Sequence, residues 1–261
     1  MGSSSHDNMS FLEHLEELRW HIIRSLIAIV SAGFICFLMK DFIFDTIIFG
    51  PKKMDFPTYK FLCQAATFIG VETTFCGDEF PFIVQNRTMA GQFSAHVMTS
   101  IISGFIISFP YILYEFWKFI SPGLLEKEKA KSRGFILISS LLFFIGVLFG
   151  YYIISPLSIN FLGTYQVSSQ VLNEIDLGSF ISLVRSSAIA SGIIFELPII
   201  IYFLTKAGVV TPESLVKYRK YALVLVLVLA AIITPPDVAS QIIVAIPIVV
   251  SVSYTHLRAH E

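Results

Sequence analysis

The chain has 261 residues, of which 55% are hydrophobic and only 14% are charged. In soluble domains about a quarter of residues are charged, so this composition excludes an ordinary soluble protein and favours one polytopic membrane domain. The net charge of −1 gives no electrostatic reason to expect a nucleic-acid partner.

The first predicted element is an acidic helix, FLEHLEELRWH at 11–21, whose leucines form an apolar stripe suited to the membrane interface. Glu16 can pair with Arg19 three residues on, whereas Glu17 has only His21 as a nearby cation. Glu17 is therefore a candidate to bind an external cation. The alternative is a solvated carboxylate on the polar face of an interfacial helix.

Six apolar runs predict six transmembrane helices, because about 18 apolar residues in a row can span a bilayer. The predicted spans are about 22–39, 96–114, 135–154, 181–205, 221–233 and 238–252. The third is expected to close at Ser155 and Pro156. The last two are short for about 30 Å of hydrocarbon. Asp237, after Pro235 and Pro236, is expected to cap the last span.

Basic residues in the loops indicate the orientation. Lys and Arg are concentrated between spans two and three and between spans four and five, and the loops after spans three and five have none. The positive-inside rule therefore predicts that both termini are cytoplasmic. The long first loop, about 40–93, is then external. Its Cys63 and Cys76 could form a disulfide if that side is oxidising.

A second acidic segment, SPGLLEKEKAKSR, follows span two. After Pro122, the acids Glu126 and Glu128 alternate with lysines, and an ordinary charged helix start is the simpler interpretation. With Glu17, however, Glu128 would place two carboxylates on the cytoplasmic face close to the membrane. Such a pair could receive two guanidinium groups, whose planar forks bind carboxylates through parallel hydrogen bonds.

Glu196 lies inside span four, where an ionisable residue by default marks a functional site. Pro198 predicts a kink there, and Gln241 in the last span is a candidate polar partner. The alternative is a protonated Glu that packs against a neighbouring helix. His14 and His96 stand alone, without metal-ligand spacing, and no HExxH, GxSxG or P-loop pattern is present. The sequence therefore predicts no enzyme, metal or cofactor.

Five segments together resemble the TatC family, the multi-spanning receptor subunit of the twin-arginine protein translocase. They are HLEELR at 14–19, FWKFISPGLLEKEK at 116–129, FELP at 195–198, TPESLVKYRKY at 211–221 and TPPDVASQ at 234–241. Their order on six spans is specific, and the resemblance covers about residues 10–250. It implies an all-α membrane protein with six transmembrane helices in a concave cup-like bundle.

The resemblance also implies roles for particular residues. Glu17 and Glu128 match the acids that recognise the twin-arginine signal of folded cargo. Arg19 would shape this acidic patch, and Phe119 and Pro122 match positions that lead into the loop.

Two further residues match family positions. Pro51 matches a structural proline of the first external loop, and Glu196 matches a buried polar residue implicated in contacts with single-span TatA/TatB-type subunits. The resemblance implies a receptor and core subunit of a homo-oligomeric complex in the bacterial cytoplasmic membrane. Export would be driven by the proton-motive force, with no bond chemistry in this subunit.

Two other function classes remain open. The chain could be a proton-coupled secondary transporter with Glu196 as its relay carboxylate, or a membrane scaffold whose charges are only structural. We expect one domain over residues 1–250. The last segment, SVSYTHLRAHE at 251–261, differs from the usual family ending and is expected to be a non-native or atypical tail.

Overall fold

The structure is a computed structural model that describes residues 11–70, 74–77, 79–120 and 132–206, with the isolated positions 224 and 228. Most of the predicted fifth span and the whole sixth span lie outside these residues. So do five residues of the predicted sites, namely Pro122, Glu128, Pro235, Asp237 and Gln241.

The described chain is largely helical. Its elements are α1 (Phe11–Leu38), a π-helical segment (Phe42–Ile48), a 3-10 turn (Gly50–Lys52), α2 (Pro57–Ile69), a 3-10 turn (Thr74–Cys76), β1 (Phe82–Gln85), α3 (Gly91–Ile120), α4 (Ser132–Phe149), a second π-helical segment (Gly150–Ile154), α5 (Ser155–Thr164), β2 (Asn173–Asp176), α6 (Leu177–Phe195) and α7 (Leu197–Lys206).

In the part of the chain that the structure describes, four helical stretches are long and apolar enough to cross a membrane. They are His14–Leu38, Gly91–Ile120, Gly134–Thr164 and Leu177–Ile201. The first four predicted spans are therefore confirmed, and with them the all-α membrane fold class.

The third span does not close at Ser155 and Pro156, and this expectation was wrong. The helix continues through Gly150–Ile154 into α5 and ends only at Thr164. Pro156 lies in the first turn of α5, where its missing N–H costs least. The carbonyl of Tyr152, four residues earlier, accepts a hydrogen bond from the Thr58 hydroxyl instead. A distant side chain thus replaces the donor that proline lacks.

The fourth span is interrupted at Glu196, as Pro198 two residues later predicts. Asp176 caps its N-terminal end, because the Asp176 carboxylate accepts a hydrogen bond from the Ser179 N–H at 3.2 Å. The break leaves α7 as a separate short helix that begins at Leu197.

The chain divides into two compact units, which are residues 1–39 with 100–140 and residues 40–99 with 141–261. In the first unit, α1 runs antiparallel to the second half of α3. The Ser108 hydroxyl donates to the Ala28 carbonyl at 3.0 Å. A Cβ atom on Gly104 would come 2.5 Å from the Gly33 nitrogen, so only glycine lets these two backbones approach this closely.

In the second unit, small residues bring the third and fourth spans together. A Cβ atom on Gly146 would lie 2.7 Å from the Ser191 carbonyl oxygen, and one on Gly150 would lie 2.8 Å from the Ala188 Cα. Helices in a membrane gain little from burying apolar surface away from lipid. They associate instead through close packing of this kind.

The first long loop contains α2, which begins at Pro57 and ends before Gly70. Gly70 has a φ of 77°, a left-handed conformation that terminates helices and favours glycine.

Tyr59 of α2 is fully buried, and its hydroxyl lies 2.9 Å from the carbonyl oxygens of both Pro51 and Pro156, so its one proton serves two acceptors. Burial raises the pKa of Tyr59, which keeps the hydroxyl protonated and able to donate at neutral pH.

One disulfide and one pair of hydrogen-bonded strands complete this loop region. Cys63 and Cys76 form a disulfide, with their Cα atoms 5.1 Å apart. Strands β1 and β2 pair in parallel, and Phe82 lies opposite Asn173. The Arg87 guanidinium reaches the Glu174 carboxylate at 3.2 Å across this pair.

Candidate functional site

The candidate site lies in the first unit, where the N-terminal end of α1 packs against the C-terminal end of α3. The His14 ring stacks on the Phe119 ring, with centroids 4.5 Å apart. Seven residues on, His21 Nδ1 lies 2.5 Å from Glu115 Oε2 and its ring meets the edge of Phe119. Two turns of α1 therefore present one face to the last turn of α3.

Glu17 lies on this face of α1, because it follows His14 by three residues and precedes His21 by four. Its side chain is half-buried. It forms no ion pair with any residue that the structure describes. The sequence suggested His21 as its nearby cation, but the structure pairs His21 with Glu115. Within the described chain, Glu17 thus forms no ion pair, and it lies on the helix face whose histidines contact Phe119.

Glu16 and Arg19 form the surface pair that their spacing predicts, with Arg19 Nη2 2.5 Å from Glu16 Oε1. The side chains are 52% and 58% exposed, so solvent screens the pair and its contribution is small. The Arg19 guanidinium also lies 5.5 Å from the centre of the Trp20 ring. Arg19 is therefore held on the outside of the helix, beside the carboxylate of Glu16.

Sequence reasoning missed Glu115 and Arg24. Glu115 is buried, accepts from His21, and has Arg24 Nη1 at 3.8 Å. The predicted second span ended at Tyr114, one residue too early, whereas α3 continues to Ile120. The rule that marks Glu196 as an ionisable residue within a span would also have marked Glu115 if the span had been drawn to its full length.

The other predicted residues lie in the second unit. Glu196 is buried at the break between α6 and α7. Pro51 is buried beside Tyr59, and Cys63 is joined to Cys76. The structure therefore brings Glu17, Arg19 and Phe119 into one unit and places Glu196, Pro51 and the two cysteines in the other.

A metal ion needs several ligands close together. Among the residues that the structure describes, no three His, Cys, Asp or Glu side chains lie close enough together to hold one. What the α1–α3 end offers instead is charge and aromatic surface. Among its described carboxylates, Glu115 is bound to His21 and Glu16 to Arg19, whereas Glu17 forms no ion pair.

Comparison with known proteins gives consistent results. The family model for TatC, described as Sec-independent protein translocase protein, matches residues 13–247. The Sec-independent protein translocase protein TatC of Blattabacterium sp. subsp. Periplaneta americana is 45% identical over 245 residues, which cover 94% of this chain and 92% of that protein. The TatC of Aquifex aeolicus is 37% identical over 243 residues, which cover 92% and 90%.

A crystal structure of the twin arginine translocase receptor TatC in DDM superimposes on this chain with a TM-score of 0.72. It is 34% identical in sequence, and the match covers 95% of this chain and 99% of the crystallised one. A second crystal structure of that receptor gives a TM-score of 0.69 at 33% identity.

Proposed function

This chain belongs to the TatC family of Sec-independent protein translocase proteins, and from that premise we propose that it binds the twin-arginine signal of folded cargo. It is a membrane subunit of that translocase. With single-span TatA/TatB-type partners, it supports export driven by the proton-motive force across a bacterial cytoplasmic membrane. Both of its termini are cytoplasmic in this proposal, as the distribution of Lys and Arg predicts.

The observation that carries the proposal is the state of Glu17. This half-buried carboxylate lies on the α1 face that meets Phe119 and has no cation among the described residues. The two histidines at helical spacing from Glu17 are otherwise engaged, because His21 is bound to Glu115 and the His14 ring stacks on Phe119. A guanidinium suits Glu17, because its planar fork can donate two hydrogen bonds to one carboxylate and its face can stack on an aromatic ring.

The second carboxylate of the proposed site is Glu128. It follows Phe119 by nine residues, in the segment that begins directly after α3 ends at Ile120. Pro122 lies at the start of this segment. A loop anchored beside Phe119 would bring a second acid to the same membrane face, and two consecutive arginines need two acceptors. Arg19 would set the local charge without occupying Glu17, since it pairs with Glu16.

Binding of a twin-arginine peptide to the detergent-solubilised full chain tests this proposal. We expect the peptide to bind and its Lys-Lys version to bind more weakly, because an ammonium donates no parallel pair of hydrogen bonds. Glu17→Gln and Glu128→Gln should each weaken binding of the Arg-Arg peptide. Glu16→Gln is the matched control, since it removes an adjacent exposed carboxylate that already has a partner.

Equal loss of affinity in the Glu17, Glu128 and Glu16 variants would mean that net charge alone attracts the peptide. That outcome would overturn the proposed site. Equal affinity for the Arg-Arg and Lys-Lys peptides would overturn the proposed recognition chemistry.

A transporter remains the second candidate because Glu196 is buried at an interruption in a membrane helix. In our proposal Glu196 contacts single-span partners, with Gln241 as a further polar position. Proton flux measured in vesicles that contain only this chain separates the two. Flux that Glu196→Gln abolishes would favour the transporter, whereas no flux together with weaker partner association in that variant would favour the translocase role.

A further inference from the structure

Helix α2 has three distinct faces. Residues of an α-helix are about 100° apart, so sequence position assigns each side chain to a face. One face is buried in the second unit and includes Tyr59 and Ala66. A second face is exposed and polar, and it consists of Lys60, Gln64 and Thr67. The third, here termed the apolar face of α2, consists of Phe61, Ala65, Phe68 and Ile69.

The apolar face of α2 is unusually open. Phe61 is 70% exposed, Phe68 is 93% exposed and Ile69 is 72% exposed. Scattered apolar residues on a surface need no explanation, but these three lie on one side of one helix and beside a separate polar side. An apolar side next to a polar side is the pattern of a helix that lies in the plane of a membrane interface.

The contacts of α2 with the third span indicate how deep α2 lies relative to the membrane. Its first turn is fixed to the third span, because Thr58 donates to the Tyr152 carbonyl and Tyr59 lies 2.9 Å from the Pro156 carbonyl oxygen. A helix needs about 20 residues to cross the hydrocarbon layer, so a crossing that starts at Gly134 ends near residue 154. The N-terminal end of α2 is therefore held at the boundary of the hydrocarbon.

Aromatic residues mark the same level. The Phe56 ring stacks on the Tyr152 ring with centroids 5.4 Å apart, and it meets the Tyr151 ring edge-on at 5.6 Å. Tyr and Trp concentrate at membrane interfaces, where one end of the ring is apolar and the other end is wet. In this cluster Phe56 is buried and the Tyr151 hydroxyl donates to the Ile47 carbonyl, so Tyr152, which is 41% exposed, is the ring placed to reach the interface.

The apolar face also lies on the membrane side of α2. Phe61 follows Thr58 by three residues, so it shares a face with the side chain that binds the third span. Tyr152, on that span, is itself partly exposed. The apolar face of α2 therefore continues the surface that the span presents to lipid, and no charged residue interrupts it.

From these observations we infer that α2 is a membrane-interface helix. Its apolar face, formed by Phe61, Ala65, Phe68 and Ile69, lies in the boundary between headgroups and acyl chains of the external leaflet. Its polar face, with Lys60 and Gln64, is turned to water. The partner of this surface is the phospholipid bilayer itself, and nothing in the signal-binding proposal requires it.

Tryptophan scanning in vesicles tests this inference. The full chain, with Trp20 and Trp117 replaced by phenylalanine, would carry one new tryptophan at Phe68→Trp or, as the matched control on the exposed polar face of the same helix, at Thr67→Trp. Each would be reconstituted in vesicles of phosphatidylcholine and phosphatidylglycerol with brominated acyl chains. We expect quenching by the brominated chains to be several times stronger for Phe68→Trp, and quenching by aqueous acrylamide to be stronger for Thr67→Trp.

Phe61→Trp gives a second probe on the apolar face if Phe68→Trp does not fold, and it should behave like Phe68→Trp. Strong acrylamide quenching at both positions, without quenching by the brominated chains, would place the apolar face in water and overturn the inference. Protection of Phe68→Trp from both quenchers would show that a second protein surface covers this face, which would also overturn it.

Discussion

Two helix contacts in this chain differ in their hydrogen-bond acceptor. In the first half of α1, His21 bonds to a side chain of α3, the Glu115 carboxylate. At the N-terminal end of α2, the hydroxyls of Thr58 and Tyr59 bond to main-chain carbonyls. The first contact joins two side chains, neither of which occupies a main-chain carbonyl. The second joins side chains to the backbone of a membrane span, and a disulfide between Cys63 and Cys76 lies in the same segment.

A contact between side chains can be replaced by a ligand, whereas a contact to main-chain carbonyls of a helix cannot be replaced without cost. A guanidinium that arrives beside Glu17 competes with side chains and water only. To displace Thr58 or Tyr59, a ligand would have to leave helix carbonyls unsatisfied, at a cost of about 1–3 kcal/mol for each buried group. The α1–α3 end is therefore suited to binding, and the loop region of the second unit to holding its shape.

The largest expected effect comes from the glycine contacts that fix the second unit. In Gly150→Ala, the new Cβ would lie 2.8 Å from the Ala188 Cα, and backbone atoms cannot rotate away. We expect a loss of about 3 kcal/mol or more in the free energy of unfolding. Gly134→Ala is the matched control, because a Cβ there meets nothing within 4 Å. Thermal unfolding in detergent compares the two, and equal melting temperatures would contradict the close contact.

The disulfide should rank next. It closes a loop between residues 13 apart in sequence, and replacement of both Cys63 and Cys76 by serine removes this constraint on the unfolded chain. Chain-entropy arguments give about 3 kcal/mol for a loop of this size. A reducing agent should lower the melting temperature of the parent chain and leave the double variant unchanged. An equal response of both proteins would show that the bond does not stabilise the loop.

Tyr59→Phe should cost about 2 kcal/mol, because it leaves the carbonyls of Pro51 and Pro156 buried without their donor. Tyr165→Phe removes a hydroxyl from an exposed ring and is expected to change stability by less than about 0.5 kcal/mol. Chemical unfolding of both variants measures the difference. If the two losses were equal, the bonds of Tyr59 would not hold α2 to the span.

The smallest effect on stability is expected where α1 packs against the C-terminal end of α3. Glu115→Gln keeps a hydrogen-bond acceptor for His21 but removes the charge, which roughly halves the strength of the bond and costs about 1 kcal/mol. Glu16→Gln breaks an exposed pair and should cost less than about 0.5 kcal/mol. If Glu16→Gln were the more damaging change, burial would not be what distinguishes the two carboxylates.

Local patterns predicted well what local physics determines. Apolar runs gave the four described spans, because a bilayer demands length, and the spacing of Glu16 and Arg19 gave their ion pair. The failures share a cause. Thr58 lies 94 residues from Tyr152, and His21 lies 94 residues from Glu115. No local pattern shows that a distant hydroxyl lets the third span continue past Pro156, or that a distant carboxylate takes the histidine beside Glu17.

The bond from Tyr59 to Pro156 spans 97 residues of chain, and this separation has a consequence for biosynthesis. Translation adds about 5–20 residues per second, so α2 leaves the ribosome roughly 5–20 s before the span on which it docks. The disulfide closes a far shorter segment and needs no later part of the chain. The disulfide of a newly made α2 can therefore form before the third span is synthesised. Tyr59 becomes buried only after the third span has been inserted.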